Sequence, residues 1–307
     1  MNADHVSMEL QQLRYVVAVA DEGSFTRAAE RCRVVQSALS HQVKALEREL
    51  GVQLFARTSR RVEITAAGAA FVAQARVSLA AAERAIAEAA GAGGQVRGTL
   101  TVGVIPTTTV LDIPKELGRF HRAHPAVRIR LRSGGSHDFA EAIRAGSMDV
   151  AVLGLSDTTP PQGVATRVLA RERLVAVVAE GQPLARRRRL RLEELADESF
   201  VDFPEGSPGR IQSDLAFRAA GVQRDVVFEA MTPDLMLDLV REGLVIALLA
   251  PAVIAKGTED LCTIPITAGP SRIEYLAWSN FNPSPAAQAF LAGLRDREPH
   301  SNEGDRT

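Results

Sequence analysis

The chain has 307 residues, with 36 Lys and Arg against 37 Asp and Glu and only two cysteines. That length allows two or three domains with a sizeable core, and Cys32 and Cys262 lie too far apart for a readable disulfide framework, which fits a reducing cytoplasm. The longest strongly apolar stretch, Leu244–Ala255, is about twelve residues and includes Pro251, too short for a membrane span, and MNADHVSMEL lacks the pattern of a secretion signal.

Met8–Ala20 is expected to form a helix with Leu10, Leu13, Val17 and Ala20 on one side. In the next segment Phe25, Ala28, Ala29 and Cys32 recur at i, i+3, i+4 and i+7, the stripe of a helix that buries one side, with Cys32 acting as a small hydrophobe. After a break at Arg33-Val34, Leu39, Val43, Leu46 and Leu50 repeat the pattern, and Gly51 stops it. Ser37, Ser40, His41, Lys44 and Arg48 occupy the opposite face. Two short helices joined by a tight turn, the second edged with donors and cations, form a helix-turn-helix suited to the major groove of DNA. Between Thr26 and Arg61 eight Lys or Arg face three acids, a local charge of +5 within a chain of formal net charge −1. A polyanion partner is thereby implied for one domain only. Val52–Ile64 reads as a two-stranded wing, with Val62 and Ile64 alternating around Glu63.

Thr65 is a plausible N-cap for an alanine-rich helix to Ala90. Val72, Ala75, Leu79, Ala82, Ile86 and Ala89 alternate at spacings of three and four, a seam that a helix of roughly 39 Å cannot bury against a small neighbour. A second copy of the chain is the expected partner, giving a homodimer; a lone helix docked on its own domain is the alternative. The joint GAGGQVRG, Gly91–Gly98, follows.

Beyond it the pattern is that of an α/β domain. Strands are expected at Thr99–Val104, Val127–Leu131 and Asp149–Gly154, separated by helices ending at His124 before Pro125 and running from Ser136 to Gly146. This order argues for a mostly parallel sheet covered by helices. Further strands fall at Leu174–Ala179, Phe200–Phe203, Val226–Glu229 and Val245–Leu249, with helices at Pro208–Ala220 and Pro233–Glu242, the latter flanked by Thr232 and Gly243 as cap and stop. Two α/β lobes are expected, Thr99–Val152 with Ile273–Leu294 and Val164–Pro265.

On these residues the chain resembles the LysR-type transcriptional regulators over nearly its full length. The block MELQQLRYVVAVADEGSFTRAAERCRVVQSALSHQVKALERELGVQLFARTSRRVEITAAG is similar to that family's winged helix-turn-helix. GTLTVGV, FHRAHPAVRIRL and AIRAGSMDVAVLG are similar to its effector domain, which implies the two-lobed fold of periplasmic solute-binding proteins. The expected fold is therefore α/β overall: a winged helix-turn-helix over 8–65, a linker and dimerisation helix with hinge over 66–97, a two-lobed effector domain over 98–296, and a tail over 297–307. Two positions depart from the family pattern. Val35 stands where the family usually places the Ser or Thr that caps the recognition helix, and Val245 stands where a glycine often follows Gly243-Leu244.

The resemblance and the face analysis together assign Gln36, Ser37, Ser40 and His41 to the major groove of double-stranded DNA, where Gln pairs with adenine and serine suits bases or phosphates. Lys44 is expected on phosphate, as is Thr26 at the start of the preceding helix. Arg57 and Arg60 sit in the wing, and Arg60 matches the position from which the family reaches the minor groove. Effector candidates sit beyond the carboxyl ends of strands, where helix N-termini present N–H groups: Thr107 and Thr108, Ser136, and Thr232, with Phe203 and Ser207 in the corresponding loop of the other lobe. Resemblance singles out Thr107 and Ser136. These donors favour a small anion such as a carboxylate, although each hydroxyl can equally be an ordinary helix cap.

The family further implies a homotetramer, and RNA polymerase is admitted as a further partner. No cofactor or metal is expected, since His121 and His124 lack a completing ligand. Arg186–Arg189 reads as a solvated loop, and a lone Cys262 in the effector domain argues against an internal disulfide peroxide switch. No nucleophile elbow, phosphate loop or paired acid–base marks an enzyme. The expected function is a cytoplasmic, effector-switched, sequence-specific DNA-binding regulator; the alternative is a solute-binding or catalytic α/β protein with an incidental basic head.

Overall fold

The computed structural model describes residues 8–57, 62–91, 95–254 and 260–295. Arg60 and the rest of the expected wing turn, the side chain of Arg57, and the polar tail lie outside the described residues. The chain divides into two compact units, the first reaching Gly94 and including Ala145–Ser147, the second taking the remainder from Gln95.

The first unit is built on helices α1 (Leu10–Glu22), α2 (Phe25–Cys32) and α3 (Gln36–Leu50). Ser24 accepts the N–H of Arg27 (3.4 Å) to start α2, Arg33 takes a left-handed turn at φ 57° to end it, and Gly51 at φ 69° ends α3. Val16, Val19, Ala28, Leu39, Val43 and Leu46 are buried in one core. Cys32 and Leu50, expected on the buried stripes, are only partly covered. The face expected for α1 is corrected: Leu10 is exposed and Val17 and Ala20 are half-buried, while Leu13, Tyr15, Val16, Ala18 and Val19 are buried. Three helices pack on α1, so its covered arc is wider than one stripe and centred elsewhere.

Strands β1 (Phe55–Arg57) and β2 (Val62–Ile64) pair antiparallel, Phe55 opposite Ile64. Thr65 caps α4 (Ala66–Gly91) by accepting the N–H of Gly68 at 2.9 Å. The seam expected along α4 divides. Val72 and Ala75 are buried, Val72 within the helix-turn-helix core, whereas Ile86 is 65% exposed. Part of the seam is thus covered by the helix's own domain, against the expectation that so small a neighbour could not do so; α1 lies alongside α4 and supplies the surface.

The second unit opens with β3 (Gly98–Val104), α5 (Ile113–Ala123), β4 (Val127–Ser133), α6 (Ser136–Arg144) and β5 (Val150–Leu155). β3 lies between β4 and β5 and is parallel to both. Then come β6 (Ala165–Arg173), β7 (Val175–Ala179), β8 (Ser199–Asp202), α7 (Pro208–Ala219), β9 (Asp225–Glu229) and α8 (Pro233–Arg241). The unit closes with β10 (Ala247–Leu249), the turn α9 (Pro251–Ile254), β11 (Leu261–Pro265), β12 (Ser271–Trp278) and α10 (Pro285–Arg295). The first lobe's sheet has the order β4-β3-β5-β12-β6, with β12 antiparallel to both β5 and β6.

Two expectations are corrected here. The sequence pattern places residues from Val164 in the second lobe, yet β6 is the edge strand of the first, and the chain crosses at Arg173-Leu174. Its sequence ATRVLARER carries charges on a half-buried edge and a register shift against β12, so no apolar alternation announces it. The sheets are also mixed: the second lobe pairs β10-β7-β11 wholly antiparallel, beside the parallel pair β8-β9. The β-α-β alternation that dictates parallel pairing holds from β3 to β5 and again from β8 through α7 to β9, while the other strand pairs of the unit are antiparallel.

The lobes carry separate cores. Phe120 meets Phe290 edge to face (5.4 Å) in the first, and Phe200 meets Phe217 (5.5 Å) in the second. Two adjacent crossings join them, tied where Leu174 N–H donates to the Pro270 carbonyl at 2.9 Å. Val245 is accommodated as a core residue, 2% exposed, after Gly243 turns at φ 71°.

Leu46 is fully buried at the crossing of α3 with α1 and α2. Leu46→Ala should cost about 3 kcal/mol through lost transfer energy and the cavity left behind, measured as a lower urea midpoint of the full chain.

Candidate nucleic-acid interface and effector cavity

Burial of Leu39, Val43 and Leu46 turns the other edge of α3 outward. Gln36, Ser37, His41 and Lys44 are exposed, Ser40 is half-buried, and Thr26 is exposed at the first turn of α2. Arg48 folds back, its Nε donating to the carbonyl of Lys44 (3.4 Å). At the start of α3, Val35 has extended backbone (φ −73°, ψ 141°), makes no side-chain cap and is 68% exposed. The helix start therefore rests on backbone bonds alone.

Glu47, in the sequence merely one of three acids opposing the local positive charge, fastens the far end of α3 to the wing. Its Oε1 accepts the N–H groups of Leu54 (2.9 Å) and Phe55 (3.1 Å). Asp21 accepts from both Arg31 of α2 and Arg76 of α4, tying the long helix to the helix-turn-helix. Hydrogen bonding to Asp21 accordingly raises the already high pKa of Arg31.

In the second unit a cavity of about 380 Å³ opens between the lobes. Thr107, Ser136, Phe203 and Ser207 line it, as do Gln212 and Arg272, neither of which the sequence pattern points to. Thr108 and Thr232 do not line it. Thr108 closes a turn on itself, its hydroxyl donating to the Ile105 carbonyl (3.1 Å), and Met231 takes the cavity-facing place one residue before the exposed Thr232. Hydroxyls at helix starts are visible in a sequence, whereas Gln212 lies a turn inside α7 and Arg272 on a strand distant along the chain.

Ser136 begins α6 in the cavity wall, 3% exposed. Its hydroxyl accepts the Gly154 N–H (2.9 Å) and donates to the Gly154 carbonyl (3.1 Å). With its one proton engaged it can only accept further, so an anion meets the α6 backbone here rather than this hydroxyl. Ser207 caps α7 by accepting the Arg210 N–H (3.4 Å), which leaves its own proton available to donate.

The loop carrying Phe203 and Ser207 is held by ionic groups. Arg224, 4% exposed at its side chain, lies over the rings of Phe200 and Phe217 and meets Asp202 and Asp214, each at 2.6 Å. Asp202 also accepts the Phe203 N–H (2.7 Å). Burial pushes the Asp202 carboxyl up against the opposing pull of Arg224. Across the loop, Glu229 accepts the Glu205 N–H and Arg210 Nη1, both at 3.1 Å.

Opposite, on β12, Arg272 and Glu274 are 3% and 0% exposed. Arg272 Nη2 donates to Glu274 Oε2 (2.9 Å) and to the Thr107 carbonyl (2.8 Å). Glu274 in turn receives the N–H and hydroxyl of Thr109, both at 3.4 Å. Burial lowers the Arg272 pKa and raises that of Glu274, in each case against the attraction of its partner. A Cβ at Gly154 would lie 2.9 Å from Arg272 Nε, so glycine leaves the room the guanidinium fills.

A basic helix-turn-helix joined to a two-lobed α/β unit with a cavity defines a DNA-binding regulator with a ligand-binding domain. Residues 10–69 match the family described as bacterial regulatory helix-turn-helix protein, lysR family, and residues 93–299 match the LysR substrate binding domain. The chain belongs to the LysR-type transcriptional regulators. It is 32% identical over 297 residues to the HTH-type transcriptional regulator YnfL of Escherichia coli strain K12, covering 94% of this chain and 98% of that protein. A full-length point variant of OxyR from Pseudomonas aeruginosa shares its structure with a TM-score of 0.72 at 30% identity, covering 95% of this chain and 96% of the other. Full-length CbnR complexed with its target DNA matches with a TM-score of 0.65 at 26% identity, over 94% and 99% of the two chains.

Val35→Ser supplies the missing side-chain acceptor to the first turn of α3. It should raise stability by about 1 kcal/mol, seen as a higher denaturation midpoint.

Proposed function

We propose that this regulator binds operator DNA as a homodimer formed through α4, each copy laying α3 in the major groove of one half-site. Gln36, Ser37, Ser40 and His41 face the bases; Lys44 and Thr26 hold phosphate; Arg57 and Arg60 extend the contact from the wing. The exposed polar edge of α3, set against a fully buried opposite edge, is the observation that carries this reading. The exposed Ile86 supports pairing along the outer part of α4, and the structure of CbnR on its target DNA supports the mode of docking. Pairing between effector domains gives a tetramer, and RNA polymerase is the further partner through which transcription responds. Among the described residues no helix is long and apolar enough to cross a membrane, in keeping with a cytoplasmic site of action.

The cavity binds a small organic anion, a carboxylate in the first instance, and the ligand shifts the population between lobe arrangements by binding one more tightly than the other. The effector domain contains Cys262 as its one cysteine, so a disulfide within that domain is not its signal. Its role is regulation without turnover.

Titrating salt against operator affinity tests the interface, because contacts to phosphate make log affinity fall linearly with log salt. Lys44→Ala should weaken binding to all sequences alike and reduce that slope by about one. Gln36→Ala should cost roughly 1–3 kcal/mol on the operator alone, leaving affinity for unrelated duplex almost unchanged. Equal losses on every sequence would contradict the role assigned to Gln36.

A further inference from the structure

Two of the residues that line the cavity each carry a buried polar atom with no hydrogen-bond partner among the described residues: Nε of Arg272 and Oε1 of Gln212. Their side chains belong to residues 3% and 7% exposed, one on β12 of the first lobe and the other on α7 of the second. Unmade bonds at buried groups are expensive, and one cavity holding two of them from opposite lobes is suited to a ligand that satisfies both. The surrounding wall, with Leu174, Phe203, Met231 and Leu248, is largely apolar.

The guanidinium is half committed. Nη2 spends its bonds on Glu274 and the Thr107 carbonyl, while Nε, on the same edge of the planar fork, has none. A carboxylate docking side-on needs both Nε and Nη2, so it competes directly with Glu274. Arg272 meets Glu274 through Oε2 alone, so the internal pair is made with one nitrogen and one oxygen rather than as a full fork. The segment Thr107–Thr109 hangs from these two side chains, through the Thr107 carbonyl on Arg272 and through Thr109 on Glu274.

Building on the reading of this cavity as the effector site, we propose that the effector is an organic acid with a second polar group on an apolar body. Its carboxylate takes Arg272 in competition with Glu274, and its polar group is held by Gln212. The acid thereby exchanges the Arg272–Glu274 pair for its own contact and loosens the segment Thr107–Thr109, while Gln212 draws in the second lobe.

The probes are hydroxy acids of roughly four to nine carbons, a range that fits a cavity of this size, each compared with its primary amide and its deoxy acid. Binding to the full chain is measured by calorimetry, together with operator affinity in the presence of each probe. The expected result is at least one hydroxy acid that binds about tenfold tighter than its amide and severalfold tighter than its deoxy acid. Arg272→Met should abolish the preference for acid over amide, and Gln212→Leu the preference for hydroxy over deoxy acid. Arg272→Met strands a buried Glu274, so Glu274→Gln is the decisive variant: removing the internal competitor should raise affinity for the acid severalfold and leave the amide unchanged. A purely structural Arg272–Glu274 pair predicts no such gain. Amides binding as tightly as acids, no binding of any acid at about 10 mM, or a loss of acid affinity in Glu274→Gln would overturn the proposal. If neutral probes bind and alter operator affinity, the cavity remains the effector site and only the assignment of Arg272 fails. If probes bind and operator affinity never responds, the effector-site reading itself falls.

Discussion

Everything α3 can offer a nucleic acid depends on the side it hides. Leu39, Val43 and Leu46 fill the angle between α1 and α2, and Ala28 and Ala29 are small enough to let the helices close. A recognition surface held this way is rigid without requiring charge–charge attraction, which high ionic strength would screen. The polar edge of α3 can then be chosen for what it binds, because stability is settled on the other face. Val35 shows the limit of that independence: it stands at the one place where a surface residue would also serve the helix, and it does not.

The effector domain applies the opposite strategy. Arg272 in its cavity wall pairs with the buried carboxylate of Glu274, two residues along the same face of one strand, and behind the wall the second lobe pairs Asp202 with Arg224. Buried ion pairs contribute little net stability, because the desolvation of both groups offsets their attraction. Here they fix loops: Thr107–Thr109 on one side of the cavity and Phe203–Ser207 on the other. A group whose attachment is only marginally favourable is well suited to be re-attached to a ligand.

The parts of this molecule that can be read from sequence are those where one element faces one core. The stripes of α2 and α3 have the helical period and end at Arg33 and Gly51, so the helix-turn-helix is legible almost residue by residue. α1 is less so, because neighbours on several sides bury positions that no single stripe includes. β6 is illegible as a first-lobe strand: a charged edge strand carries little hydrophobic signal, and its partner β12 lies about a hundred residues further on. Helix starts and strand ends lead to Thr107, Ser136, Phe203 and Ser207, but give no access to Arg272 or Gln212. The one trace of Arg272 is local: in SRIEYLAW, two opposite charges stand two residues apart in an otherwise apolar strand, hence on one face.

The tie between Leu174 and Pro270 sets the kind of motion available to the effector domain. Two straps lying side by side flex readily about the line they share, but shear or twist would pull that bond apart. Opening and closing, like the covers of a book, is therefore the motion that this tie resists least. A small molecule that touches both lobes then has only to favour one point along that easiest path.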